Sequence, residues 1–121
     1  MRGLARGLGC DAGAVRSPSF TLLQRYEGST GREGRRTLHH YDVYFTTALE
    51  DLERAGLAEA LAAGDVVAIE WGERFGNRLP ADRLEVAMRH VSPEERALIL
   101  TAKGPAAGRL LERAVPNGAR A

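Results

Sequence analysis

The chain has 121 residues, of which 44% are hydrophobic and 27% are charged, and its formal net charge is +1. This length suits one domain with a single core, and the near-neutral charge gives no argument for a nucleic-acid-binding surface, which would be clearly basic. Cys10 is the only cysteine, so a disulfide within the chain is excluded. No stretch approaches the ~20 apolar residues of a membrane span, and no secretory signal is present, so we predict a cytoplasmic protein.

The first half of the chain is predicted to open with a helix, to continue as a hairpin of two strands and to end in two short helices. The connection within the hairpin is polar and glycine-rich, and it is longer than most hairpin loops. Glycines follow or interrupt the helical patterns, as is common at helix ends. The helices are expected over 1–8, 47–55 and 58–62, and the strands over 20–26 and 38–45.

The second half is predicted to contain three strands and one helix. The first strand is almost wholly apolar, whereas the other two alternate apolar and polar residues in the manner of half-buried strands. The strands are expected over 66–71, 84–90 and 96–102, the helix over 105–114, and a flexible tail over 115–121.

The strand from Val66 to Trp71 carries one carboxylate, Glu70, near its end. A short apolar run bounded by glycines is typical of a buried strand in a parallel sheet. In open α/β sheets, ligands bind just beyond the carboxyl ends of such strands. Glu70 is therefore a candidate for a metal or phosphate site, and a strand that simply ends on a solvated glutamate is the alternative.

Other polar side chains stand at predicted strand ends or in adjoining loops. Ser19 and Thr21 offer hydroxyls after a turn that contains a proline, and Asp42 lies two residues after His40, on the same face of its strand. Hydroxyl and carboxylate oxygens around one crevice suit Mg²⁺, which binds oxygen ligands and retains several waters. For Ser19 and Thr21, a role in stabilising the turn is the alternative.

The adjacent histidines His39 and His40, with Asp42, suggest a different metal site. Neighbouring residues of a strand face opposite ways, so both imidazoles cannot easily bind the same ion. A metal hydrolase built on His40 and Asp42 would need further ligands, and His90 is the only other histidine.

Four segments, in this order, resemble the TsaE family, the small P-loop ATPases of bacterial tRNA threonylcarbamoyladenosine synthesis. The family shows an S-P-T-F-T-L segment, an H-x-D-x-Y strand, an E-W segment that acts as the Walker B motif, and an L-P-x-D-R-L-E run. The matching segments here are 17–22, 38–44, 69–71 and 79–85, and the resemblance extends from Met1 to about Gly104. It implies a P-loop NTPase-like α/β fold, with a central, mostly parallel sheet and an added β-hairpin.

The resemblance also implies roles for individual residues. Glu70 matches the Walker B carboxylate, which helps to hold Mg²⁺ or orders the attacking water, and Asp42 matches a candidate catalytic aspartate near the γ-phosphate. Ser19 and Thr21 lie in a segment similar to switch I, where Ser19 replaces the usual threonine. Trp71 matches the tryptophan beside the Walker B carboxylate. 

A late arginine of the family aligns loosely with Arg96, which gives a further candidate nucleotide contact. ATP and Mg²⁺ are the implied cofactors. The implied partners are the other protein subunits of the threonylcarbamoyl transferase complex, with an indirect link to tRNA and none to a membrane.

A P-loop requires the pattern G-x-x-x-x-G-K-[ST], and these 121 residues do not contain it. The family places that loop directly before a helix whose later part resembles residues 2–9. We therefore expect 1–121 to be a single, incomplete domain, truncated at its amino terminus because translation was assigned to start too late. The chain as written is expected to bind ATP weakly or not at all, and to fold poorly.

Two interpretations of function remain open from the sequence. The first is an ATPase subunit that acts with a partner transferase complex in tRNA modification. The alternative is a non-catalytic, degenerate interaction module of the same complex, which the absent P-loop pattern favours.

Overall fold

The computed structural model describes residues 1–11, 13, 22–28, 36–46 and 48–115. The chain forms two compact units, residues 1–78 and 79–121, which are described in turn. Four predicted features lie outside the described residues: the candidates Ser19 and Thr21, most of the hairpin connection (29–35), the first residue of the second helix (47) and most of the tail (116–121). None of the described helices is long and apolar enough to cross a membrane.

The first unit contains three short helices and three strands. In chain order these are α1 (Arg2–Gly7), β1 (Leu23–Glu27), β2 (Thr37–Asp42), α2 (Leu49–Arg54), α3 (Leu57–Ala62) and β3 (Val66–Glu70), followed by the 3₁₀ turns Gly72–Arg74 and Gly76–Arg78. Each predicted element of this unit is present, with ends shifted by a few residues. β1 begins three residues later than predicted, and β2 ends three residues early because the Asp42 carboxylate accepts a hydrogen bond from the Tyr44 N–H (3.0 Å) and turns the chain.

The strands of this unit form one mixed sheet in the order β1-β2-β3. β1 and β2 pair antiparallel, which confirms the predicted hairpin. β2 and β3 pair parallel, from Leu38 beside Val66 to Asp42 beside Glu70. The carboxyl ends of β2 and β3 therefore lie side by side at one edge of the sheet.

The core of the first unit lies on both faces of β2. On one face Leu38 is fully buried against Ala5 of α1 and Cys10, and Val66 and Ala68 of β3 pack at the edge of this cluster. Alternation along the strands places these β3 residues on the same face as Glu70. Helix α1 therefore covers the face of the sheet that carries the carboxylates.

A contact just beyond the carboxyl end of helix α1 locates that end on the sheet. The Sγ–H of Cys10, just beyond the helix, contacts the carbonyl of Tyr26 (3.6 Å), and Tyr26 pairs with Leu38 near the amino end of β2. The carboxyl end of α1 therefore lies near the amino end of β2. Burial raises the pKa of the Cys10 thiol.

On the opposite face of the sheet, Tyr41 and Val43 are fully buried together with Leu52 of α2. The Tyr41 hydroxyl donates to the carbonyl of Ala55 (3.3 Å), and burial raises the pKa of this phenol. Gly56 separates α2 from α3 with φ of 92°, a left-handed conformation that favours glycine, so the predicted interruption there is confirmed.

The second unit is an antiparallel hairpin with one helix. Its elements are β4 (Arg83–His90), β5 (Arg96–Lys103) and α4 (Pro105–Ala114), close to the predicted ranges. Both Asp82 carboxylate oxygens accept backbone hydrogen bonds from the first turn of α4, from Ala106 and Ala107 (2.9 Å each). These bonds hold the pKa of Asp82 below its ordinary range.

The apolar residues of β4 and β5 are more exposed than their alternating pattern predicts. Val86 is 45% exposed and Met88 is 74% exposed, although both belong to the face expected to be buried. The physical reason is area, because a two-stranded ribbon and one ten-residue helix offer too little surface to cover both strands.

Candidate functional site

The candidate site lies at the carboxyl ends of β2 and β3. Asp42 and Glu70 are direct register partners across the parallel pair, so their side chains start from neighbouring strands about 4.8 Å apart and leave the same face. The pairing continues one step further, since the Val43 N–H donates to the Glu70 carbonyl (3.2 Å). The two candidate carboxylates that the sequence predicts to converge are thus brought together at one edge.

Glu70 is held by a histidine from the neighbouring strand. The Nε2 atom of His40 lies 3.0 Å from Oε1 of Glu70, and the His40 side chain is 1% exposed while that of Glu70 is 40% exposed. One end of this pair is therefore inside the protein and the other reaches solvent.

The second histidine of β2 makes a similar contact on the other face. His39 Nε2 lies 2.9 Å from Oδ2 of Asp65, the residue before β3, and Oδ1 of Asp65 accepts the Thr37 N–H (3.3 Å). The hydrogen bond from His39 is the main cause that lowers the pKa of Asp65. The expectation that His39 and His40 face opposite ways is confirmed, and each contacts a different carboxylate.

Trp71 follows Glu70 directly and has φ of 65°, the one positive value at a non-glycine residue among those described. This conformation costs an L-residue free energy and is concentrated at functional sites. Its indole ring packs edge-on against Tyr44 (centroids 5.2 Å apart) and is about half exposed. The guanidinium of Arg74 lies over the Tyr44 ring at 5.3 Å and donates to the Tyr44 carbonyl (2.7 Å).

Three of these neighbours were missed as site residues by the sequence reasoning. His40 was considered only as a metal ligand, and Tyr44 and Arg74 were given no role. The signal for Tyr44 is its place two residues after Asp42, which continues the alternation past the strand end. No local signal identifies Arg74, because its contact with Tyr44 spans 30 residues.

The remaining candidates are Arg96, which belongs to the second unit, and Ser19 and Thr21. Arg96 is the first residue of β5 in the second unit, where its guanidinium donates to the carbonyls of Ser92 (2.7 Å) and Glu95 (2.9 Å) in the hairpin turn. Ser19 and Thr21 fall outside the described residues. Within the described ranges, no group of three or more histidine, cysteine or acidic side chains could hold a metal ion by itself. The hydrolase built on His40 and Asp42 therefore finds no third ligand there.

Comparisons with known proteins agree with this geometry. The profile of the family described as "Threonylcarbamoyl adenosine biosynthesis protein TsaE" matches residues 1–98. The chain is 38% identical to the tRNA threonylcarbamoyladenosine biosynthesis protein TsaE of Treponema pallidum, over 81% of this chain and 67% of that protein. It is 34% identical to the protein of the same name from Bacillus subtilis, over 85% of this chain and 60% of the relative.

The fold matches a solved structure of similar sequence. The crystal structure of Bacillus subtilis YdiB superposes with a TM-score of 0.63 and 29% identity, over 93% of this chain and 64% of that one. The chain thus spans roughly two thirds of the length of these relatives.

The α/β architecture, with acidic residues at the carboxyl ends of adjacent parallel strands, is of the P-loop NTPase-like class. Within that class, the chain belongs to the TsaE family, whose members are named for tRNA threonylcarbamoyladenosine biosynthesis.

Proposed function

We propose that this chain carries the catalytic carboxylates of a cytoplasmic, Mg²⁺-dependent ATPase required for threonylcarbamoyladenosine formation in tRNA. It acts together with the protein subunits of a partner transferase complex, and its link to tRNA is indirect. The observation that carries the proposal is the register pairing of Asp42 with Glu70 at one sheet edge. The family names of the relatives supply the pathway.

The donor set at this edge fits Mg²⁺ with nucleotide. Mg²⁺ is commonly bound by one or two carboxylates together with substrate phosphates and water, rather than by a complete protein cage. Asp42 and Glu70 supply two such carboxylates, and both are accessible to solvent in part. When bound, the ion neutralises charge on the transferring phosphoryl group.

The side chains have separate tasks in this proposal. Glu70 is the metal-holding carboxylate, Asp42 orients and deprotonates the attacking water, and the half-exposed ring of Trp71 forms one wall of the site. Positioning of this kind carries most of the catalysis in phosphoryl transfer, because the reaction needs little covalent participation by the protein. Ser19, Thr21 and Arg96 remain candidate nucleotide contacts.

The proposal requires a phosphate-binding loop that these 121 residues do not contain. Translating the DNA upstream of Met1 tests the requirement, and an in-frame G-x-x-x-x-G-K-[ST] is the expected result.

The catalytic assignment is tested by Asp42→Ala in the native protein, expressed from its complete reading frame. Turnover of ATP with the partner subunits should fall by about a hundredfold or more, which is the usual range for loss of a general base, while ATP binding is retained. Asp65→Asn is the matched control, because it removes a carboxylate at the opposite, amino end of the β2–β3 pair. Unchanged turnover in Asp42→Ala would remove that residue from catalysis.

A non-catalytic interaction module is the second candidate, and the absent P-loop pattern favours it. Capture of the partner subunits by native protein that has no ATPase activity would establish this candidate in place of the first.

A further inference from the structure

His40 is an unusual residue to bury beneath a half-exposed carboxylate. Its side chain is 1% exposed, its Nε2 atom contacts Glu70, and its Nδ1 atom is buried without a hydrogen-bond partner in the described structure. An aliphatic side chain at this place would pack beside Leu38 without leaving a polar atom unsatisfied. The imidazole therefore needs an explanation beyond packing.

The surroundings determine which ring nitrogen carries the proton. An ionised carboxylate only accepts hydrogen bonds, so Nε2 of His40 must donate to Oε1 of Glu70. A second proton, on Nδ1, would be a buried N–H without an acceptor. A proton on Nε2 satisfies both conditions, and it gives Glu70 a hydrogen-bond donor that is fixed in the sheet.

The hydrogen bond from His40 sets the orientation of the Glu70 carboxylate. Glu70 stands beside a second carboxylate, Asp42, and like charges on directly opposite residues repel one another. A glutamate side chain at a strand end is free to turn away from such a neighbour into solvent. The contact with His40 ties one oxygen back to the central strand and leaves the other for a ligand.

We propose that His40 is a positioning residue, which holds the Glu70 carboxylate against β2 so that it faces a cation together with Asp42. This inference rests on the proposed function for its consequence in catalysis, but the positioning itself is a property of this residue pair. Hydrogen-bonding partners of metal-binding carboxylates act in this way, and their loss typically weakens metal affinity or activity.

The chain contains a matched control for this proposal. His39 is adjacent in sequence, lies in the same strand, contacts a carboxylate through Nε2 at 2.9 Å and also has a buried, unpartnered Nδ1 atom. Its carboxylate, Asp65, lies at the opposite edge of the strand pair, away from the candidate site. Substitutions at His39 therefore reproduce the loss of a buried histidine that pairs with a carboxylate, without removing the contact with Glu70.

The test compares His40→Leu, His40→Gln and His39→Leu in the native protein expressed from its complete reading frame. The affinity for Mn²⁺, used as a paramagnetic substitute for Mg²⁺, is measured by electron paramagnetic resonance with and without a non-hydrolysable ATP analogue. Thermal unfolding is recorded for every variant. His40→Leu should weaken Mn²⁺ binding by about tenfold or more. His40→Gln, whose amide can still donate to Glu70, should restore most of the affinity.

His39→Leu should lower the unfolding temperature but leave the Mn²⁺ affinity unchanged. Wild-type affinity in His40→Leu, or an equal loss in His39→Leu, would overturn the positioning role. Steady-state hydrolysis separates this result from the proposed function, since His40→Leu should lower kcat with little change in the KM for ATP. Absence of hydrolysis in the unsubstituted protein would contradict the ATPase proposal, while the Mn²⁺ comparison would still decide the role of His40.

Discussion

The buried His39 pairs with the partly exposed Asp65 at the amino end of β3, with Nε2 and Oδ2 2.9 Å apart. The pair lowers the pKa of the Asp65 carboxyl from its ordinary value of 3.8. A carboxyl whose pKa is lower in the folded than in the unfolded state stabilises the fold above the unfolded value. That stabilisation is lost as pH falls through the folded value, so the relevant window lies below about pH 4.

Asp65→Asn should therefore destabilise the native protein by about 1.5–3 kcal/mol at pH 7, the range for a hydrogen bond to a charged group. The difference from the unsubstituted protein should shrink as pH is lowered towards 3, because protonation then removes the same charge from Asp65. Urea unfolding followed by circular dichroism between pH 3 and 7 measures this. A difference that stays constant over this range would show that Asp65 does not contribute as a carboxylate.

Glu70→Gln, unlike Asp65→Asn, should retain stability and lose metal affinity. It removes one of two adjacent like charges, so the unfolding temperature should be retained, whereas the affinity for Mn²⁺ should fall by about tenfold or more. Retained stability with impaired binding is the usual mark of a functional rather than a structural charge. Loss of stability without loss of Mn²⁺ affinity would assign Glu70 to the fold instead.

The left-handed conformation of Trp71 gives a comparison that isolates backbone strain. Trp71→Ala and Trp71→Gly both remove the contact with Tyr44, but only glycine adopts φ of 65° without a steric penalty. The glycine variant should therefore be more stable than the alanine variant by about 1 kcal/mol. Chemical denaturation of the two proteins measures the difference, and equal stabilities would mean that the backbone is unstrained there.

Two glycines of the second unit provide a matched pair. Gly104 has φ of 109°, and a Cβ atom there would lie 2.8 Å from the Cα atom of Asp82, whereas a Cβ atom at Gly108 would meet nothing within 4 Å. Gly104→Ala should therefore destabilise the protein by about 1–2 kcal/mol or more. Gly108→Ala, inside α4, should stabilise it by about 1 kcal/mol. Thermal unfolding of both variants tests the prediction, and the same sign of change in each would contradict it.

Asp82 should control fraying at the start of α4. Its carboxylate accepts the otherwise unsatisfied N–H groups of Ala106 and Ala107, and these bonds lower its pKa. In Asp82→Ala, amide hydrogen exchange at Ala106 and Ala107 should accelerate selectively. The unsubstituted protein should show the same acceleration, relative to the rest of the helix, when pH falls below the pKa of Asp82. Uniform exchange along α4 in the variant would show that the cap is ineffective.

Much of the fold could be predicted because its signals are local. Glycines after helix ends, apolar alternation and the apolar run of β3 mark elements within a few residues of their observed positions. The convergence of Asp42 and Glu70 also followed, because parallel strands meet at their carboxyl ends. The contacts that orient these groups could not be predicted. The pairing of His40 with Glu70 spans 30 residues and depends on the parallel register, and nothing local indicates that Trp71 adopts a left-handed conformation.

Because β2 contains two successive histidines, the histidines alone do not fix the register of this strand in the sheet. A slip by one residue would exchange the faces of His39 and His40 and still leave a histidine at one of the two places. It would, however, turn the fully buried Tyr41 outward and drive Asp42 into the apolar interior, where an unpaired charge is very costly. The carboxylate that we assign to water activation thus also selects one alignment of the sheet as the chain folds.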